Sequence, residues 1–522
     1  MRKPALAIFI AVFGLYMLTT SREPAWGDAH PMWEVAARLV ESGGIDIKTR
    51  WPEDIPPGRD GKIYGIAAIG DALPHVPGAA IAALTHRIAP SQEPLVRPLA
   101  VHLAPSALGA LAAVLFFLLL IDLGIAARTA SFATAILACA TTTWVYAHYP
   151  YSEIIQLVCA LGLLRATLRA CATPSRKEAI WLGAWAGMLL NTKYVHALGV
   201  LGAAAVVVWA LWKQREELKR VIGWACVGGA PFVLLALAYN FFRWGSPFAT
   251  GYGPYLDAYF GGSLFDGAAG MLASPNKSAF LYSPPLVLAA IGLVPAIRAN
   301  KRLGIALAAL FVPTFLVCCT YRSWSGDYAW GPRFFVYFVP PLCVGLAWFV
   351  REMSRVKKLV VGVVVAAGIC VQLLGTSLYW DHFIRIAIDA KNQWLGNPNR
   401  KGAYVAEKGR GHCDSCFEDT YELLWTPAFQ PIRGHWWLLK SLARGDSPAD
   451  AQADAPWRTY TSLQLNLDQS YPRARVDWWG LVWISDAPQT RTLGVILLLL
   501  FAATTALGIA LWLRYHRGSP PP

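Results

Sequence analysis

Ionisable residues stand where apolar runs begin or end. Asp28 follows the first run, Glu153 opens another in HYPYSE, Lys193 and His196 lie in NTKYVH, and Arg243 lies in FFRWGSPF. Arg322, Asp327 and Arg333 share the stretch YRSWSGDYAWGPRFF. All can be placed at the same side of a membrane, and ionisable groups at that depth are costly, so their gathering from distant parts of the chain points to one shared site. Snorkelling accounts for a lone Lys or Arg but poorly for Asp28, Glu153 and Asp327. Several cations with one or two carboxylates suit an anionic lipid head group whose reaction needs a base. Lys193, Arg243, Arg322 and Arg333 can neutralise phosphate oxygens, while an Asp takes a proton from an attacking hydroxyl and charge moves onto the leaving phosphate. A flippase or transporter of an anionic lipid would want the same cations.

The elements that must hold these residues are membrane helices. The 522 residues are 56% hydrophobic and 15% charged, with a mean hydropathy of +0.40, and apolar runs recur from end to end as in a polytopic membrane protein. At about 20 apolar residues per span there are roughly twelve candidates. They centre near Phe9, Leu108, Ala138, Ala160, Trp185, Val206, Leu234, Ala289, Leu310, Val344, Val365 and Ala502. Basic clusters such as KQREELKR, RANKR and REMSRVKK fall mostly in alternate loops, which makes those loops and both termini cytoplasmic. The net charge of +14 is then largely a topology signal, and nucleic acid is not expected as a partner.

The expected fold is an all-α polytopic membrane protein of about 12 helices, with interfacial helices in the first outer loop and a small α+β outward domain before the last span. Residues 1–378 form the catalytic core, with outward loops 21–98 and 243–284; 379–490 form the outward domain; 491–522 hold the final helix and a cytoplasmic tail. In MWEVAARLVESG, helical spacing puts Trp33, Ala36, Ala37 and Val40 on one face. Of ten cysteines, all but Cys413 and Cys416 lie in or beside apolar segments. That pair, beside His412 in GHCDSCFE, is half a zinc site without a second half, so a local disulfide or two free thiols is expected and no metal is assigned.

The pieces WGDAHPMWEVAARLVESGGIDI, GRDGKIYGIAAIGDALPHVPGA, HYPYSE, YNFFRWGSPFATGY, FLYSPPL, WSGDYAWGPRFF and PIRGHWWLL, in this order, resemble the GT-C superfamily of integral membrane glycosyltransferases. The likeness is to the bacterial branch related to protein O-mannosyltransferases and the lipid A aminoarabinose transferase, and it covers most of the chain. The resemblance implies a catalytic base just after span one, the place of Asp28; its alternative is a helix N-cap before PMWEVAARL. It also implies that basic residues on outer helix ends hold a polyprenyl phosphate: Lys193 first, then Arg333, for which a structural pair with Asp327 is the rival. Arg243 and Tyr252 lie in a piece resembling a family loop near the site.

Two places depart from the pattern. Relatives often follow the acid with Gly or Glu, where this chain has Ala29 and His30, so His30 is a supporting candidate or a surface histidine. AAIGDAL lacks the aromatic and glycine that relatives favour, which leaves Lys62 and Tyr64 open; Tyr64 either stacks on a sugar or seats the loop. Asp46, Asp54, Asp60 and Asp71 share the first outer loop and Glu34 its helix, but none follows a span end as closely as Asp28.

The implied activity is inverting sugar transfer from a polyprenyl phosphate to a hydroxyl of a glycan, lipid or protein at the outer face of a bacterial inner membrane. No nucleotide site is expected. The lipid-linked sugar is the donor, and a divalent metal is not indicated. The rival activities are a ligase or polymerase using polyprenyl pyrophosphate, and a lipid-linked sugar flippase.

Overall fold

A computed structural model describes residues 2–22, 29–48, 57–253, 256–326, 329–394, 423–459, 476–481 and 488–517. Asp28, Asp54, Asp327, His412, Cys413 and Cys416 lie outside the described residues.

Each of the twelve expected span centres falls within a helix. Among the described residues, seven helices are long and apolar enough to cross a membrane: Pro90–Asp122, Glu153–Ala172, Tyr194–Leu211, Arg215–Trp244, Lys301–Cys319, Arg355–Ser377 and Arg491–Tyr515. The remaining centres lie in shorter helices, Arg2–Leu18, Ala127–Ala140, Arg176–Leu190, Pro285–Ala299 and Val339–Phe349. Side-chain caps mark several starts: Asn300 accepts the Leu303 N–H at 3.1 Å and Ser354 the Lys357 N–H at 3.3 Å. Gly245, at φ 78°, ends the Arg215–Trp244 helix, its N–H bonded to the Phe241 carbonyl at 2.9 Å.

Helices approach closely where side chains are small. Gly183 faces the Ala225 carbonyl and Gly228 the Ile180 carbonyl, so a Cβ at either would collide with the partner's backbone. In lipid, where apolar transfer offers little drive, such fits supply the packing. The Glu153–Ala172 helix runs through the centre, nearly all of it buried, while Leu201, Trp209, Leu234, Val363 and Leu499 face outward as lipid contacts would.

Two details depart from the sequence reading. The Ala29–Ser42 helix buries Ala29, Met32, Val35 and Ala36, a stripe about one position away from the expected Trp33–Val40 face. The shift arises because Val35 packs with Ile47, Ile69, Ala72 and Tyr239, and Met32 with Val101. In the stretch 379–490, the described residues form helices Trp380–Trp394, Pro431–Arg444 and Pro448–Ala453, with no strand beyond isolated bridges such as Leu378 to Val476. Phe383, Ile386, Phe429, Trp437, Leu438 and Trp457 make a separate small core there.

Candidate functional site

Glu153 is the first residue of its helix, 1% exposed, and its Oε1 accepts from both Lys193 Nζ at 3.1 Å and Arg333 Nε at 2.8 Å. An acid in the first turn also suits the helix dipole. The two cations reach it from separate breaks between helices. Asn191 makes the first break by donating its Nδ2 to the Gly187 and Phe232 carbonyls, at 2.9 and 2.8 Å, and Lys193 follows in extended conformation. The second break is set by Lys277, whose buried ammonium donates to the Ala329 and Gly331 carbonyls, and by Tyr146, which donates to the Trp330 carbonyl at 3.1 Å. Arg333 then opens a short 3-10 turn, Arg333–Phe338.

One carboxylate oxygen is thus shared by two cations. The side chains of Lys193 and Arg333 are 20% and 11% exposed, so water screens the two cations only in part. Aromatic rings complete the walls: Lys193 Nζ lies 5.1 Å from the Phe334 ring centre and Arg333 Cζ 4.8 Å from that of Tyr151. Such an arrangement can hold a phosphate oxygen and favour charge developing on it. His196 lies deeper, stacked on Tyr337 and bonded through Nε2 to Gln156 Oε1 at 3.0 Å, while its buried Nδ1 has no partner among the described residues.

The other candidates lie apart from this group. Arg243 is buried, with Nη1 on the Gly65 and Ala67 carbonyls, Nη2 on Asn240 Oδ1 at 2.9 Å, and its guanidinium 3.8 Å from the Tyr239 ring centre. It clamps the first long loop to the end of its own helix. Arg322 is exposed and donates through Nε to the Phe260 carbonyl at 3.1 Å. Tyr64 gives its hydroxyl to Asp60 at 2.9 Å and sets its ring edge-on to Trp244, which seats the loop. Tyr252 is half-buried in a turn on the Arg243 side. His30 is exposed and pairs with Glu34 one turn on, at 3.4 Å.

Three more residues stand out: Lys277 and Asp477, which sequence reasoning passed over, and Asp71, which it set aside. Lys277 is described above. Asp71 is 2% exposed in the short Ile69–Ala72 helix, which the Gly70 N–H ties to the Asn191 carbonyl at 2.9 Å, beside Lys193. Its signal was a lone acid inside the apolar run AAIGDAL. Asp477, also buried, accepts from Ser21 Oγ at 2.8 Å and from the Tyr149 hydroxyl, with His148 Nε2 3.4 Å away. Burial pulls the His148 imidazole down and, with Asp477, pushes the Tyr149 phenol up, so both stay neutral. Among the described residues, no three or more His, Cys, Asp or Glu side chains are grouped to hold a metal.

No family model matches the chain, and no curated protein matches it. Two solved structures similar to it are of ArnT from Cupriavidus metallidurans. The one bound to undecaprenyl phosphate shares 15% identity, with 98% of this chain and 77% of that chain covered, at a TM-score of 0.47. The apo form shares 14% identity over 94% of both chains, again with a TM-score of 0.47.

Proposed function

We propose that this chain is a membrane glycosyltransferase that moves a sugar from a polyprenyl-phosphate donor to an acceptor hydroxyl at the outer face of a bacterial inner membrane. The observation that carries the reading is the grip of buried Glu153 on Lys193 and Arg333, at helix ends where a lipid head group would lie. A structural ion pair needs one cation. Two cations from separate loops converge on one carboxylate oxygen, a placement from which both can also reach a phosphate.

In this reading Asp28 takes the proton of the acceptor hydroxyl, whose oxygen attacks the anomeric carbon from the face opposite the phosphate. The bond between that carbon and the phosphate oxygen breaks, and its electron pair leaves on the phosphate, stabilised by Lys193 and Arg333. Arg243 supports the reaction from a distance by holding the loop through the Gly65 and Ala67 carbonyls. The basic loops and both termini lie in the cytoplasm. The acceptor is a hydroxyl of a glycan, lipid or protein.

The test is purified protein incubated with a panel of polyprenyl-phosphate sugars, comparing wild type with Asp28→Asn and Lys193→Ala. Release of the lipid phosphate by wild type, lost in Asp28→Asn, is the expected result. Labelled lipid crossing a proteoliposome bilayer with no donor consumed would assign a flippase instead. Activity that survives Asp28→Asn on a pyrophosphate donor would assign a ligase or polymerase.

A further inference from the structure

A groove of about 360 Å³ lies between the Arg355–Ser377 and Pro431–Arg444 helices. Its walls include Leu374, Ile432, Arg433, Trp436, Lys440 and Asp454, none of them part of the Glu153 site. The volume falls in the range of a small-ligand site. Its depth follows from the chain. Lys357 and Leu374 stand on one apolar helix, about 25 Å apart at about 1.5 Å per residue, against a hydrocarbon core about 30 Å thick. With Arg355, Lys357 and Lys358 marking one water boundary, Leu374 lies at the other, where head groups begin.

The side chains around the groove suit a lipid phosphate. The Pro431–Arg444 helix buries Gly434, His435, Trp437 and Leu438 and turns Arg433, Trp436 and Lys440 outward. Trp436 is 64% exposed. An exposed indole with one cation a turn before it and another a turn after it is the face of a helix lying in a membrane interface. Arg433 makes no hydrogen bond or ion pair among the described residues, and its planar fork can take two phosphate oxygens at once. Asp454 is held by Lys440 Nζ and Arg444 Nη1, each at 3.0 Å, which keeps the Lys440 ammonium beside the groove. Leu374 and Ile432 give an apolar floor on which an acyl chain can begin. A glycan would use the indole but gain nothing from that floor.

We propose that this groove binds the head group of an anionic phospholipid from the leaflet at that end of the span, with Arg433 on the phosphate, Lys440 beside it and an acyl chain along Leu374 and Ile432. The site is separate from the proposed sugar transfer and stands or falls without it. It does share a wall with the loop that presents Arg333. His435 donates Nδ1 to the Leu374 carbonyl at 2.8 Å, and its ring centre lies 4.5 Å from that of Trp330. A lipid seated in the groove therefore braces that loop from behind.

The experiment places the full chain in phosphatidylcholine nanodiscs with a trace of phosphatidylglycerol that carries a photoreactive head group; photoreactive phosphatidylcholine is the control. Crosslinked peptides are mapped by mass spectrometry. Label from the anionic probe should fall on the Pro431–Arg444 helix, exceed the zwitterionic label there by about fivefold, and drop about fivefold in Arg433→Gln. Excess unlabelled phosphatidylglycerol should displace it, whereas soluble glycerol 3-phosphate, which lacks a chain, should not. Equal labelling by the two probes, or label that Arg433→Gln leaves unchanged, overturns the proposal. So does displacement by glycerol 3-phosphate or by a neutral oligosaccharide, which would assign the groove to a soluble anion or to a glycan. Should Arg433→Gln fail to fold, the competition arms in wild type decide alone.

Discussion

Replacing Glu153 by Gln separates a phosphate site from a structural ion cluster. The substitution keeps the shape and an acceptor oxygen but removes the charge that Lys193 and Arg333 share at 3.1 and 2.8 Å. Both cations are mostly buried, so losing the charge they share should cost about 3 kcal/mol, the low end for breaking a buried pair by removing one partner. A bound anion would restore what was lost. On the proposed function, undecaprenyl phosphate at a hundred times its Kd should stabilise wild type by about 2.7 kcal/mol through mass action, and in the variant it should add about 1–2 kcal/mol more by replacing the missing carboxylate. Thermal unfolding in detergent, followed by the emission of the 23 tryptophans with and without the lipid, reads both numbers. The expected outcome is a variant less stable alone but more strongly stabilised by lipid. If the lipid stabilises the variant no more than wild type, phosphate does not sit on Lys193 and Arg333, and the site reading fails.

Other predictions follow from the same geometry. Asp28→Asn should lower sugar transfer by at least about a hundredfold while leaving undecaprenyl phosphate binding within about twofold, compared by donor turnover and direct binding. Arg243→Met strands the Gly65 and Ala67 carbonyls and Asn240 Oδ1; it should cost about 3 kcal/mol in unfolding assays yet change lipid-phosphate affinity by less than about threefold. Stability should fall as pH drops from 6.5 to 4, because burial pulls His75 and His435 down to about 4 and the unfolded chain binds protons there that the folded one refuses. His435→Gln should flatten that slope in a pH series of melting curves.

That Lys193 and Arg333 come together was legible in the sequence because each is a cation at the edge of an apolar segment, where the cost of charge narrows what such a residue can be doing. Arg243 carried the same signal, yet its acceptors are the Gly65 and Ala67 carbonyls, 178 and 176 residues away. Nothing local distinguishes a guanidinium aimed at a ligand from one aimed at a distant carbonyl. Glu153 read as an accessory because its importance depends on which helix ends are neighbours. Asp71 was hidden differently: its loop was read as outward, and the packing of Ile69 and Ala72 against Val35 and Tyr239 turns that short helix inward. The expected strands of 379–490 do not occur among the described residues, where the amphipathic Pro431–Arg444 helix buries Trp437 and Leu438 instead. Its spacing of apolar residues carried that signal, set against a polar, tryptophan-rich composition that gave no firm period.

Asp477 shows why the chain's two ends matter to a site neither contains. It lies 329 residues from His148 and 328 from Tyr149, and its peptide N–H bonds to the Ser377 carbonyl at 2.8 Å. The neighbouring Trp479 donates Nε1 to the Met17 carbonyl at 2.7 Å and its N–H to that of Thr20. One short segment therefore joins the end of the first helix, the end of Arg355–Ser377, and the loop that presents Glu153. The last helix is mostly exposed, so its stabilising contribution is not core burial. It lies against the first helix where Gly508 meets Ala11 and Gly14 meets Thr505, contacts too tight for any added Cβ. Burying the Asp477 carboxylate costs desolvation that its hydrogen bonds roughly offset, so its net contribution to stability is small. What it adds is position. With Tyr149 and Ser21 bound to one buried carboxylate, the path of His148 to Glu153 is held from both sides, and with it the acceptor that Lys193 and Arg333 share.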